Sequence, residues 1–212
     1  MRLWWIMKKR FCVGIFGGSF NPPHLGHVRA AKSFCDAAQP DVLMVIPSFM
    51  PPHKVLDEVG ADKRLEMARL AFSGVYGCVE ISDCEITRGG KSYTLYTVQE
   101  ILGKYPECDI ALYVGSDMLM SFDTWHKAEE LFRLCRLYVM PRFDDRVLLE
   151  QKAEQYRKEY NAEIVFIDGP FYEISSTQLR RAVKENDKLF LNENLPEDVL
   201  LYLQKEKLYL KG

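Results

Sequence analysis

Gly14-Ile-Phe-Gly17-Gly18-Ser19-Phe20-Asn21-Pro22-Pro23-His24-Leu25-Gly26-His27 follows a strand-like apolar run and precedes a helix-like one. Strand, glycine-rich turn and helix in that order form the opening unit of an α/β fold. Gly17 and Gly18 allow the backbone to approach a phosphate, leaving the N–H groups of Ser19 and Phe20 to donate. Pro22 and Pro23 fix φ and stiffen the entry to the helix. His24 and His27, spaced i, i+3, place both rings on one face of the first helical turn. Gly26 between them removes a side chain where a ligand needs to sit close. The helix N-terminus adds a field that favours an anion. Two of the chain's four histidines fall here, so the loop reads as a ligand site rather than a plain turn. Its glycines fit neither the dinucleotide fingerprint nor a Walker A loop.

Outward from this loop the same alternation continues. Strand-like runs at Phe11–Phe16, Asp41–Ile46, Val79–Ser82, Asp109–Val114, Leu137–Met140 and Ile164–Ile167 are apolar on both faces, as a buried parallel sheet requires. Helical patterns lie between them near Val28–Ala37, Lys63–Phe72, Tyr96–Gly103, Ala128–Leu134 and Val147–Tyr160. Two more come after them, around Ser176–Lys184 and Pro196–Glu206. The expected fold is α/β: a doubly wound, Rossmann-like, mostly parallel sheet with C-terminal helices. Ligands then belong at the carboxyl ends of the strands. The strand order is not fixed by these patterns.

Length and composition agree. At 212 residues, 48% hydrophobic and 27% charged, the chain suits one globular domain and excludes a disordered tail, a collagen-like repeat or a disulfide scaffold. We expect an N-terminal extension over 1–10, with Met7 an alternative start, and a single domain over 11–212. A net charge of −2 gives no overall basic field, so neither nucleic acid nor a membrane is an expected partner, and phosphate binding has to be local. Six scattered cysteines without a C-x-x-C pair read as reduced thiols, and no apolar run is long enough to span a bilayer. A cytoplasmic protein is expected; a homo-oligomer is left open.

Other motifs are spread along the chain. Pro47-Ser-Phe-Met-Pro51-Pro52-His53-Lys54 ends the second strand with a stiff loop and a cation. Gly90-Lys91-Ser92-Tyr93-Thr94 contains Gly-Lys-Ser, but Glu85 occupies the place of the first Walker A glycine. Gly115-Ser116-Asp117 closes the fourth strand. Trp125 comes next among polar neighbours, which suits the lip of a site. Ile174-Ser175-Ser176-Thr177-Gln178-Leu179-Arg180 precedes a helical run and offers good N-caps.

The G-G-S-F-N-P-P-H-L-G-H run resembles the H-x-G-H signature of the nucleotidyltransferase superfamily. Together with P-x-x-x-P-P-H-K, K-S-Y-T, G-x-D with its tryptophan and I-S-S-T-x-L-R, it resembles the bacterial nicotinate (nicotinamide) mononucleotide adenylyltransferases from about Phe11 to the end. The resemblance implies adenylyl transfer from ATP to nicotinate mononucleotide, giving nicotinate adenine dinucleotide and pyrophosphate in NAD biosynthesis. It places His24, His27, Lys54 and Arg180 on the reacting phosphates, and Gly17, Gly18, Ser19, Phe20, Gly26, Ser176 and Thr177 about ATP. Ser92, Tyr93, Thr94, Asp117 and Trp125 then hold the mononucleotide, with the indole stacked on the pyridine ring. Mg²⁺ is expected mainly on the ATP phosphates, with no protein metal ligands. In one place the chain departs from the family: Tyr96 stands where an aspartate is usual. A phosphopantetheine adenylyltransferase and a non-catalytic nucleotide sensor are the alternatives; a stand-alone synthetase-like catalytic domain is less favoured because the length leaves no anticodon module.

Overall fold

The computed structural model describes residues 10–52, 59–141, 146–169 and 172–210. The proposed start at Met7, and the extension up to residue 9, lie outside them. Six strands form one parallel sheet: β1 (Cys12–Gly18), β2 (Val42–Pro47), β3 (Val79–Ile81), β4 (Asp109–Gly115), β5 (Cys135–Met140) and β6 (Glu163–Phe166). Their order is β3-β2-β1-β4-β5-β6, and every neighbouring pair is parallel. The fold class is as expected from the sequence, and the structure supplies the strand order.

Alternation along each strand divides the core between the two faces. Val13, Ile15, Met44, Ile46, Ile110, Leu112, Leu137 and Val139 point to one side. Phe16, Leu43, Val45, Ala111, Tyr138 and Met140 point to the other. The first face is covered by α4 (Thr94–Lys104), α6 (Ala128–Leu134) and α7 (Arg146–Tyr160), through Val98, Leu131 and Tyr156. The second is covered by α1 (Leu25–Ala38), α2 (Ala61–Phe72) and the C-terminal α8 (Ser176–Glu185), α9 (Lys188–Asn194) and α10 (Glu197–Lys205). Sequence periodicity missed the short elements: α3 (Cys84–Arg88), α5 (Ser116–Leu119), a 3₁₀ turn at Phe122–Thr124, and α9. One or two turns give too few repeats for a helical pattern to emerge.

All six cysteines are free thiols, and burial pushes Cys35 and Cys135 up to about 12. No helix among the described residues is long and apolar enough to cross a membrane.

The order of the strands positions the site. The direction of winding reverses between β1 and β4, the two central strands. Loops leaving them depart to opposite faces, and the crevice between is where this kind of sheet takes its ligand. Gly18 ends β1 and Gly115 ends β4, so the two loops singled out by sequence flank that crevice.

Candidate active site

His24 is the N-cap of α1, with extended backbone, and His27 is the third residue of the helix. The two cap the helix reciprocally. The His27 N–H donates to Nδ1 of His24 at 3.3 Å, and the His24 N–H donates to Nδ1 of His27 at 3.2 Å. The His24 N–H would otherwise be left unpaired by the helix end, and the His27 N–H is shared with the His24 carbonyl at 2.9 Å. The rings lie against each other, centroids 3.7 Å apart. A ring nitrogen that accepts cannot also carry hydrogen, so in the neutral imidazoles the proton sits on Nε2, which becomes the donor. His24 is buried, and its burial pushes the imidazole down to about 4. At neutral pH it is an uncharged hydrogen-bond donor.

Phe20 explains how the loop holds this geometry. It is a non-glycine residue with φ of 46°, a region costly for an L side chain. In return its ring is buried against Phe16 and Phe72 and meets the His27 ring edge-on at 5.3 Å. Gly17 is open, with nothing within 4 Å of where a Cβ would stand, whereas a Cβ on Gly18 would meet the Phe20 ring at 3.0 Å. Only Gly17 matches the expectation of a surface left bare for a ligand. Gly26 corrects another: its missing side chain makes room for Ile174, whose Cγ2 would lie 2.7 Å from a Cβ there, and for the His24 ring. The space belongs to the β6–α8 loop, not to a substrate.

The predicted phosphate side chains gather at the same loop. Ser176 Oγ donates to the Pro22 carbonyl at 2.9 Å. Arg180 donates through Nη1 to the Asn21 carbonyl at 3.0 Å and through Nη2 to Thr177 Oγ1 at 3.2 Å. Asn21 is buried, and its side chain accepts from the hydroxyl of Tyr209. Segments remote in sequence thus converge on Ser19–His27. Lys54 and His53 lie outside the described residues.

The residues expected on the acceptor side form a second cluster. Gly89 and Gly90 have φ of 69° and 70°, a conformation natural only to glycine, and they turn the chain from α3 into Lys91–Thr94. Ser92 is tied to the loop after β2: its Oγ accepts from the N–H groups of Phe49 and Met50, and its N–H donates to the Met50 carbonyl. The Tyr93 N–H donates to the Lys91 carbonyl. The amides of Ser92 and Tyr93 are therefore already engaged, which leaves the first-turn amides of α4, at Thr94 and Leu95, to face an anionic group. Asp117 is exposed at the start of α5, and its Oδ1 lies over Gly115, 2.8 Å from where a Cβ would stand.

Trp125 is half-buried, its ring 4.6 Å from that of Phe122, so it is both lip and margin of the core. The lip is fastened to α7 by an ion pair between Asp123 and Lys152 at 3.0 Å. His126 lies tilted against Tyr93 at 4.4 Å, and Tyr96 meets both rings edge-on, at 5.7 Å from Tyr93 and 5.5 Å from His126. Aromatic packing here takes the place of the usual aspartate. The Nε2 of His126 is buried without a hydrogen-bond partner. Sequence reading gave no role to Asn21, although it lies within the opening motif, nor to His126, Tyr209 and buried Arg64, which no motif marks. Among the described residues no three His, Cys, Asp or Glu side chains come together to hold a metal ion.

The description cytidylyltransferase-like matches residues 15–182. A probable nicotinate-nucleotide adenylyltransferase from Pseudothermotoga lettingae is 34% identical, over 86% of this chain and 91% of its own. One of the same description from Clostridium acetobutylicum is 35% identical, over 96% of this chain and 100% of its own. Among solved structures, the Plasmodium falciparum nicotinic acid mononucleotide adenylyltransferase complexed with NaAD superposes with a TM-score of 0.75, at 19% identity, covering 93% of this chain and 97% of that one.

Proposed function

The chain belongs to the cytidylyltransferase-like family, among its nicotinate-nucleotide adenylyltransferases, and we propose that it transfers the adenylyl group of ATP to nicotinate mononucleotide. The observation that carries this reading is the reciprocal cap of His24 and His27 at the crevice between β1 and β4. It turns Nδ1 of each ring toward a backbone amide and leaves each Nε2 as the outward donor at a helix N-terminus, an arrangement suited to polyphosphate.

An oxygen of the mononucleotide phosphate attacks the α-phosphorus of ATP. The bond from that phosphorus to the bridging oxygen breaks, and pyrophosphate leaves. A phosphate monoester is largely dianionic at pH 7, its second pKa being about 6, so no general base is required. Catalysis is then alignment and charge stabilisation. His27 meets the α-phosphate as negative charge builds. His24, Arg180 and Lys54 hold the outer phosphates, with Ser176, Thr177 and the open backbone at Gly17 about them. Magnesium arrives as part of the nucleotide substrate.

On the acceptor side, the indole of Trp125 stacks on the pyridine ring, a contact worth roughly 1–3 kcal/mol by analogy with base stacking. The amides of Thr94 and Leu95 meet the carboxylate, with Tyr93 and Asp117 alongside. Residues 11–212 act as one nucleotidyltransferase domain. Six free thiols suit a reducing cytoplasm. Pyrophosphate release from ATP, measured with nicotinate mononucleotide, its amide and phosphopantetheine as acceptors, tests the reading. Turnover confined to phosphopantetheine, or none with any acceptor, would overturn it.

A further inference from the structure

Arg64 takes no part in the mechanism above, yet among the described residues it is the largest fully buried side chain, 1% exposed on α2. Its Nη1 donates to the Ser19 carbonyl at 2.8 Å and its Nη2 to the Phe49 carbonyl at 3.1 Å. Its Nε is buried without a partner. Removing a guanidinium from water is costly, and two neutral carbonyls compensate only in part. A methionine or leucine would fill the space without that cost. The position is therefore poorly explained by stability alone.

The two carbonyls belong to different loops, one leaving β1 and the other leaving β2. Phe49 is held from its other side by Ser92, whose Oγ accepts the Phe49 N–H at 2.9 Å and the Met50 N–H at 3.3 Å. Met50 also forms an isolated bridge with Lys91. The hydrogen bonds thus run without a break from Ser19, through Arg64 and Phe49, to Ser92. Ser19 sits in the loop assigned to ATP, and Ser92 opens the segment assigned to the mononucleotide.

We propose that Arg64 is a positioning residue that couples the two substrate subsites, so that filling one sets the backbone of the other. The proposal rests on the subsite assignments given above. Arginine suits the position because its planar fork meets the two carbonyls from two separate nitrogens; a lysine offers its three donors from one nitrogen and cannot reproduce that spaced pair. Such coupling is reciprocal: ATP tightens the mononucleotide by the same factor as the mononucleotide tightens ATP.

The test measures the dissociation constant of nicotinate mononucleotide by calorimetry, with and without a non-hydrolysable ATP analogue. Wild type, R64K, S92A and the double variant are compared. In the wild type the analogue tightens binding about tenfold, within the ordinary range of such couplings. R64K and S92A each bring the ratio to within about twofold of unity, and the double variant does no worse than either single one. Turnover of R64K shows raised KM for both substrates with a smaller change in kcat. A ratio of unity in the wild type overturns the proposal, as does an R64K variant that melts earlier but keeps the wild-type ratio. Should R64K fail to fold, a wild-type ratio in S92A, whose substitution lies at a half-buried turn, overturns it equally. Turnover of the wild type with the mononucleotide reports separately on the subsite reading.

Discussion

Around His24 and His27 the holding contacts end on main-chain atoms, while around Tyr93 and Trp125 they are largely ring faces. Ser176, Arg180 and Arg64 all donate to carbonyls of the Ser19–Pro22 segment, and the histidines cap each other's amides. On the acceptor side Tyr93, Tyr96, His126 and Trp125 lean on one another or on Phe122. Hydrogen bonds to backbone fix position within a few tenths of an ångström and lose most of their value when misaligned. Offset and edge-on rings tolerate a range of distances and angles. The half of the site proposed to handle the reacting phosphates is thus held by the more exacting contacts. The half proposed to receive the acceptor is held by more tolerant ones, and Tyr96 stands among them where an aspartate is usual.

The contrast predicts where substitutions hurt most. His27→Ala should lower kcat by roughly 10²- to 10³-fold, the usual cost of removing one donor aimed at developing charge, while ATP binding weakens far less. Steady-state kinetics with both substrates saturating checks it; an unchanged kcat would remove His27 from the chemistry and erase the difference between the two halves.

Acid should attack the same half through folding. His24 titrates near 6.5 when unfolded and at about 4 when buried. Between those values the unfolded chain binds the extra proton, so stability conferred by the neutral ring is fully present above about pH 6.5 and drains away as pH falls to about 4. The full loss is about 3 kcal/mol. Urea midpoints at pH 7 and pH 4.5 should fall steeply in the wild type and more shallowly in His24→Asn, which keeps a capping side chain. Equal slopes would mean that His24 is not the buried group responsible.

The acceptor half should discriminate less sharply. Nicotinate mononucleotide should exceed its amide in kcat/KM by roughly 10- to 100-fold, since the amide turns an NH₂ toward a backbone donor and leaves it unpaired. Equal values would show that the aromatic lip has widened to dual use. The smallest effect is expected from Arg180→Lys, a roughly five- to tenfold rise in the KM for ATP as a fork becomes a point charge. Wild-type behaviour there would confine Arg180 to holding Asn21.

Much of the more exactingly held half was legible in sequence because its residues are contiguous. Gly17 through His27 spells out a turn, a stiff pair of prolines and a helix start, and the six apolar runs placed it at the end of a buried strand. What tightens the loop was illegible. Tyr209 reaches Asn21 across 188 residues, Arg180 across 159 and Ser176 reaches Pro22 across 154; none announces its target by spacing. Arg64 is one of several charges on α2, and nothing in its spacing marks it as the buried one. The Ser92 segment was found by its motif, but which of its amides remain to donate depends on Met50 and Lys91, and only the folded backbone shows that. The exchange of roles at Gly26, from ligand space to packing space, has the same origin, since Ile174 arrives from the far end of the sheet.

That last contact has a consequence for how such sequences can drift. A side chain at the glycine of the histidine tetrapeptide would claim the volume that Ile174 already fills, so residue 26 is not free to vary while Ile174 stands. A side chain gained at residue 26 is tolerable only if residue 174 has already shrunk, and the intermediate with both bulks present pushes His24 from its cap. The two sites therefore form an epistatic pair joined by sterics rather than by chemistry, and the glycine would persist even in a descendant that had lost catalysis but kept the fold.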